Sequence, residues 1–474
     1  MTTAPSASRL SLPRLLAFSL PGFSVGALAV ALTVYLPHYY AAHYGLALAA
    51  IGAAFGLIRF GDMFVDPLIG VAMDRTTTRF GRYKVWLAVG APVLMLGVFM
   101  LFDPPGGVSV VYVAGWLLVY YLGFSLLALS HSSWASVIAA NYHERSRTFG
   151  SIQFVSILGA ALVLAVPVLL AQKNGAGGAR DVPAMGIFIV VAIPVGVFTA
   201  LAFTRERIAR DHHAVRFTLR DYWEMVSRPD MRRIIIADFC LALGPGWMSS
   251  LYLFYFHDSR GFTLKEASGL LFIYIAAGVL GSAGLAALAQ KLGKHRTLQV
   301  ASTGYSLGLI SIQLLPKGVF LLAAVPMFCL GFLASGFPLL DRAMVADVGD
   351  AVRLEKGKQR TALLYAMIST TQKLASSFSI ALSYTLLAAI DYQAKEGAAN
   401  SAAAIHGMEL VYILVPIVFV MLGGACFIGY KLDSRRHADI RAQLEARDAE
   451  LTQAPILESL GGDHGVATRV ASSS

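Results

Sequence analysis

The sequence predicts an all-α membrane protein of twelve transmembrane helices in two six-helix halves. Three observations lead there. The first is composition: 57% of the 474 residues are hydrophobic and 14% charged, with a mean hydropathy of +0.64, whereas a soluble globular chain carries about 25% charged residues. The second is that apolar runs long enough to cross a hydrocarbon core of about 30 Å recur along nearly the whole chain. They centre on residues 15–37, 48–72, 85–103, 110–137, 149–171, 184–203, 234–257, 266–290, 297–315, 319–340, 361–390 and 408–430. In lipid a helix satisfies the backbone of such a run internally. The third is the placement of Lys and Arg: 30 of 38 fall in the N-terminus, the even-numbered connections and the C-terminal tail, and six in the odd-numbered connections. Basic connections stay in the cytoplasm, which puts both termini there. The net charge of +10 is then the positive-inside bias, aided by anionic lipid, and calls for no nucleic-acid partner.

Taken in order, the first span begins MTTAPSASRLSLPRLLAFSLPGF, which has the shape of a signal peptide. Its apolar run continues to Tyr40 without a cleavage site, so it reads as a retained helix. The second span carries RFGDMFVDP at 59–67, although each mid-membrane charge costs about 2.5–3.5 kcal/mol. Arg59, Asp62 and Asp66 are offset by three and seven and share one helix face, which must meet protein or water. A structural pair between Arg59 and Asp62 is the bland reading. One arginine balances one carboxylate, however, and the other needs a proton, a metal ion or a second cation. Two carboxylates a turn apart can share a proton or hold a small hard cation.

After the second span comes GVAMDRTTTRFGRYKVW, and after the eighth GLAALAQKLGKHRTLQV. Both set a Gly-basic-x-basic cluster just past a helix, as two parallel six-helix repeats would. The longest polar connection, Thr204 to Arg233, separates the halves. The expected organisation is an N-terminal half at 1–204, a cytoplasmic central loop at 205–233, a C-terminal half at 234–432 and a cytoplasmic tail at 433–474, the tail partly disordered. KNGAGGAR and KEGAANSAAA read as plain outer connectors.

In the seventh span, GPGWM at 244–248 interrupts helical hydrogen bonding, as gating or binding helices do, or else makes a static kink. Asp238, earlier in that span, calls for a cationic partner. In the eleventh, Lys373 follows Ser369, Thr370, Thr371 and Gln372 and lies roughly 18 Å from the basic end at 1.5 Å per residue, too deep to snorkel. It is either a counter-ion to Asp62 or Asp66 or a contact for an anionic substrate. Cys240, Cys329 and Cys426 all sit in apolar spans, with no disulfide framework or metal-site spacing. The chain has no H-E-x-x-H, G-x-S-x-G or P-loop, so an enzyme is not expected.

Gly70, Asp74, Arg75, Arg79, Gly81 and Arg82, in GVAMDRTTTRFGR, resemble the signature connection of the major facilitator superfamily. Arg59-x-x-Asp62-x-x-x-Asp66-Pro67 followed by Gly70 is similar, more narrowly, to the glycoside–pentoside–hexuronide:cation symporters. MVAD at 344–347 and Lys373 extend that likeness over all twelve spans. The resemblance implies a major facilitator fold and cation-coupled symport of a sugar, glycoside or related small molecule by alternating access. It implies a monomer in a bacterial inner membrane, touching lipid and a small-molecule substrate, with no cofactor or metal beyond its coupling ion.

It also assigns residues. Asp62 and Asp66 become the coupling-cation site. The family's further carboxylate and hydroxyl on helix four fall at Ser130 and Leu127, a thin ligand set that favours a proton over sodium. The substrate side comprises Trp134, Lys373, Gln372, Ser130, His131, Gln153 and Arg59. Trp134, in SHSSW at 130–134, is either an aromatic face for a sugar or a membrane-interface residue. His131 is either a protonation site or an inert, hydrogen-bonded histidine. The signature connection reads as a conformational switch on physical grounds too: Asp74 follows a helix end that prefers cations and meets the positive start of the eleventh helix near Thr361, while Arg75, Arg79 and Arg82 reach Asp347, Asp350 or Glu355, or else only set topology. The family's sugar-contacting acid falls at Gly26, a cavity arginine at Gln153 and a tenth-helix tryptophan at Pro338. A less polar cavity keeps a carrier or flippase for a lysolipid or other amphipath open as the alternative. Hydroxyls and amides around the cavity would favour the sugar; a one-sided apolar wall would favour the amphipath.

Overall fold

The computed structural model describes residues 11–76, 78–138, 142–174, 180–204, 206, 219–356, 361–395 and 397–453. These form twelve long helices: α1 (Leu12–Ala42), α2 (Leu48–Arg75), α3 (Tyr83–Phe102), α4 (Val110–Ile138), α5 (Tyr142–Asn174), α6 (Asp181–Phe203), α7 (Pro229–Ser259), α8 (Leu264–Leu292), α9 (Lys294–Leu314), α10 (Phe320–Lys356), α11 (Thr361–Ala389) and α12 (Ala402–Ala425). Ten are long and apolar enough to cross a membrane. The other two, α9 and α11, have the length, at 21 and 29 residues. Their hydropathy is lowered by polar side chains turned inward, among them Ser302 and Ser306 on α9 and Thr371, Ser377, Ser379 and Ser383 on α11, all buried.

Helices approach closely where side chains are smallest. Gly26 of α1 lies against the Ser156 carbonyl of α5, and Gly159 of α5 against the Phe23 carbonyl; a Cβ at either would overlap backbone. That is a physical reason for glycine where the resemblance expected an acid. α1 and α7, the first helices of the halves, share one irregularity. Each widens into a π-turn near its outer end, at Ala31–Tyr35 and Phe254–Ser259.

Two sequence expectations change here, on α10 and on α7. α10 runs on to Lys356 instead of ending near 340, because its charged extension is amphipathic. Asp341, Met344, Val345, Asp347, Val348, Ala351 and Val352 are buried. The first part of the tail forms a helix over Ser434–Gln453, and residues 454–474 lie outside the described residues. Ile440 and Leu444 of that helix are buried, and His437 reaches Asp350 at 3.1 Å and Asp347 at 3.3 Å. GPGWM does not break α7; Gly244 lets the helix pass close to Val420 and Pro416 of α12.

The halves meet along α2 with α11, α5 with α8 and α1 with α7. α2 and α11 run antiparallel and touch at their outer ends. A Cβ on Gly52 would lie 2.8 Å from Tyr384 Cβ, and one on Gly56 2.6 Å from Ala381 Cβ. Towards the basic end they part: a Cβ on Gly70, on the same face of α2, would have nothing within 4 Å. Outer-end contacts agree, with Tyr35 bonded to Ser268 at 2.8 Å and His38 to Asp258 at 3.4 Å across the halves. The bundle is therefore closed at the outer end and splayed at the basic end.

Candidate functional site

At the point where α2 and α11 begin to part, four charges from the two halves meet. Asp62 is 5% exposed. Its Oδ2 accepts from Arg59 Nη1 at 3.2 Å and from Lys373 Nζ at 3.0 Å, and its Oδ1 accepts from Ser125 Oγ at 2.9 Å. Lys373 Nζ also contacts Asp66 Oδ2, leaving Asp66 Oδ1 buried without a hydrogen bond. The Arg59 guanidinium lies over the Tyr121 ring, 4.9 Å from its centroid. Local sequence explains the placement. The three- and four-residue spacing puts Arg59, Asp62 and Asp66 on one face, and Pro67 removes the helical bond to the Met63 carbonyl beside Asp66.

Two cations and two carboxylates sum to zero charge, so the cluster is balanced as it stands. The charge the second carboxylate required comes from Lys373, in the opposite half. Of the two readings of that lysine, the structure takes the counter-ion.

On helix four the hydroxyl that meets Asp62 is that of Ser125, a residue the sequence reading did not single out. Ser130 is fully buried, and its Oγ donates to the Leu127 carbonyl of its own helix at 3.1 Å. His131 is buried, hydrogen-bonds the Phe18 carbonyl at 2.8 Å and packs on the Phe18 ring. Trp134 has no exposed surface, packs edge-on to Phe18 and lies under Lys84 Nζ, 5.3 Å away. None of these three lines the central cavity; His131 and Trp134 fasten α4 to neighbours within the N-terminal half.

That cavity, of about 570 Å³, lies between the halves. Thr33, Gln153 and Ile157 line it from the N-terminal half. From the other half come Asp238, Pro245, Ser249 and Ser250 of α7, Tyr274 and Ser282 of α8, Ser335 and Pro338 of α10, and Gln372, Ser376 and Ser379 of α11. Gln153 and Gln372, substrate-side candidates from the sequence, both border it. Asp238 takes an amide instead of a cation: Gln372 Nε2 donates to its Oδ1 at 3.1 Å. The volume suits a small polar molecule, since ligand sites typically hold about 300–1,000 Å³.

The expected switch connection is part described. Gly81 has φ +119°, and a Cβ there would strike the Glu206 carboxylate. Glu206 accepts from the backbone N–H groups of Arg82 at 2.8 Å and of Tyr83 and Lys84 at 3.1 Å, capping the start of α3. The sequence reading missed this acid, one of five in the basic connection from Thr204 to Arg233. Arg79 rests on the Phe80 ring at 4.8 Å, while Arg75 is exposed. The acids proposed for these arginines are held otherwise: Asp347 by Lys294 at 2.6 Å, Asp350 by His437, and Glu355 by Arg228 at 2.7 Å. With the basic end splayed, the two surfaces do not meet. The Asp74 and Thr361 side chains lie outside the described residues.

Twelve helices in two halves, with a central cavity and a charge cluster bridging the halves, define a membrane transporter of the major facilitator type. The family described as MFS/sugar transport protein matches residues 17–434, and the chain belongs to it. The isoprimeverose transporter of Lactiplantibacillus pentosus is 26% identical over 453 residues, covering 91% of this chain and 91% of that protein. A lactose permease of Lactobacillus delbrueckii subsp. bulgaricus is 25% identical over 82% of this chain, which spans 65% of the permease. Among solved structures, the nucleoside transporter NupG superposes with a TM-score of 0.62 at 13% identity, over 88% of this chain and all of that one. This last likeness is one of fold.

Proposed function

We propose that the chain is a secondary active symporter that carries a sugar or glycoside together with a cation, by alternating access between the halves at 1–204 and 234–432. The observation that carries this is the cluster of Asp62, Asp66 and Lys373, which bridges the halves beside a cavity of mixed lining. Hydroxyls and amides from α1, α5, α7, α8, α10 and α11 give a sugar hydrogen-bond partners there, and Leu241, Ile275 and Phe337 give its apolar faces contact. Relatives named for isoprimeverose and lactose transport support the same class of substrate.

In this reading the structure is the inward-facing form, with the basic end and both termini in the cytoplasm of a bacterial cell and the outer end closed. Lys373 replaces the coupling cation after release. As the basic end closes and the outer end opens, α11 draws its ammonium away from α2, and the carboxylates then take a cation. We assign that cation as a proton: Asp62, Asp66 and Ser125 provide few oxygens for sodium, whereas a proton needs one carboxylate. The transporter works as a monomer without a cofactor.

Uptake of labelled disaccharides and pentosides into proteoliposomes tests this. Accumulation is expected to follow an imposed pH gradient and to ignore sodium at fixed pH and membrane potential. Stimulation by sodium under those conditions would overturn the proton assignment, and failure to accumulate any glycoside under either gradient would overturn the sugar reading.

A further inference from the structure

A second pair of carboxylates lies in the C-terminal half, apart from the bridging cluster. Asp238 of α7 is 3% exposed and Asp341 of α10 is 1% exposed; their helices pack against one another, and the two carboxyl groups are near neighbours. Neither oxygen of Asp341 has a hydrogen-bond partner in the structure, and Asp238 Oδ2 likewise has none. The remaining oxygen, Asp238 Oδ1, accepts the Gln372 amide. The charged and titratable groups around the pair come from three helices and the segment after α12. Arg342 follows Asp341 on α10 and lends positive charge to both acids without bonding the oxygens of Asp341. Cys426 and Tyr430, after α12, sense Asp341, and Arg233 of α7 lies near both of them. Gln372 of α11 is neutral.

Two carboxylate oxygens are both acceptors and cannot bond one another; a proton between them turns repulsion into a hydrogen bond. We propose that Asp238 and Asp341 form a proton-binding site in the C-terminal half, holding one shared proton. Asp238 lines the central cavity, so the proton exchanges with cavity water through that acid while Asp341 is sealed behind it. One O–H bond forms on the pair, and the proton comes from hydronium in the cavity. Gln372 connects this site to the other: its amide holds Asp238, and the next residue, Lys373, holds Asp62 and Asp66. A movement of α11 that withdraws Lys373 therefore pulls on Asp238 as well. The site goes beyond the transport reading and is tested without any transport assay.

Infrared spectra of the purified full-length protein, before and after deuterium exchange, report a protonated carboxyl by its carbonyl stretch, which lies clear of the amide band. Wild-type protein at neutral pH is expected to show this band and to lose one carboxyl's share of it in Asp341→Asn and in Asp238→Asn, where an amide N–H replaces the shared proton. Asp341→Glu is expected to keep the band at a shifted frequency, which locates the proton even where an asparagine variant folds poorly. Absence of the band from the wild type would overturn the proposal. So would a band unchanged in frequency and amplitude across the substitutions.

Discussion

Asp62 answers to three partners at once, and each makes a different demand on it. Arg59 holds it within its own helix, Ser125 within its own half, and Lys373 across the halves. Asp62→Asn or Asp66→Asn is expected to abolish accumulation against a gradient while leaving the protein inserted and folded. Uptake measured with and without an imposed gradient checks this, and accumulation at wild-type level in either variant would remove it from the coupling site. Ser125→Ala deletes one hydrogen bond to the ionised carboxylate, worth about 1.5 kcal/mol, so Asp62 is expected to bind a proton roughly tenfold more tightly. Titrating uptake against the coupling ion would show it, and an unchanged half-saturation point would make Ser125 a bystander. The charges of this site were legible in the sequence because nothing else explains them in apolar helices. Ser125 was not, because α4 offers Ser125, Ser130, Ser132 and Ser133, and only rotation about the helix selects among them. At about 100° per residue, Ser130 lies roughly 140° and Trp134 roughly 180° away from Ser125, so a face that turns Ser125 to Asp62 turns both into the N-terminal half.

At the scale of elements, the pairing of α2 with α11 decides which end of the bundle is shut. The contact rests on Gly52 and Gly56, a small-xxx-small pair that lets α2 sit against Ala381 and Tyr384. It was present in the sequence as GAAFG but lay hidden among many small residues in apolar runs. Gly56→Leu adds a branched side chain where even a Cβ would crowd Ala381 at 2.6 Å. Overpacking of this kind costs about 1–3 kcal/mol, and it is charged only to the state in which the outer ends touch. The population is therefore expected to shift towards the outward-open form, seen as longer distances between labels on the outer ends of the two halves. Unchanged distances would mean that the crossing does not set the equilibrium. The length of α10 was misread for a related reason: Asp347 and Asp350 look like loop residues until the tail helix and α9 are there to hold them.

For the whole molecule, alternating access requires that contacts closing one end exist only when the other is open. The outer end meets that condition through Tyr35 with Ser268 and His38 with Asp258, each spanning the halves. Asp258 is further held by Tyr392 at 3.3 Å, within its own half, so loss of His38 leaves it bonded and the fold intact. The bonds cross-link rigid halves and do not build either one, so removing them is expected to cost the inward-open state and not the stability of a half. Tyr35→Phe combined with His38→Ala deletes two hydrogen bonds of about 1 kcal/mol each, moving the equilibrium about 2 kcal/mol, or roughly thirtyfold, towards the outward-open form. Substrate binding should survive, since neither residue lines the central cavity. Net transport should fall, because the cycle then waits on closure of the outer end. Distances between labels on α1 and α7 decide the matter: lengthening at the outer end with shortening at the basic end supports a two-state rocking motion. Lengthening at the outer end alone would mean that the ends open independently, and the halves could not then move as rigid bodies about the charge cluster.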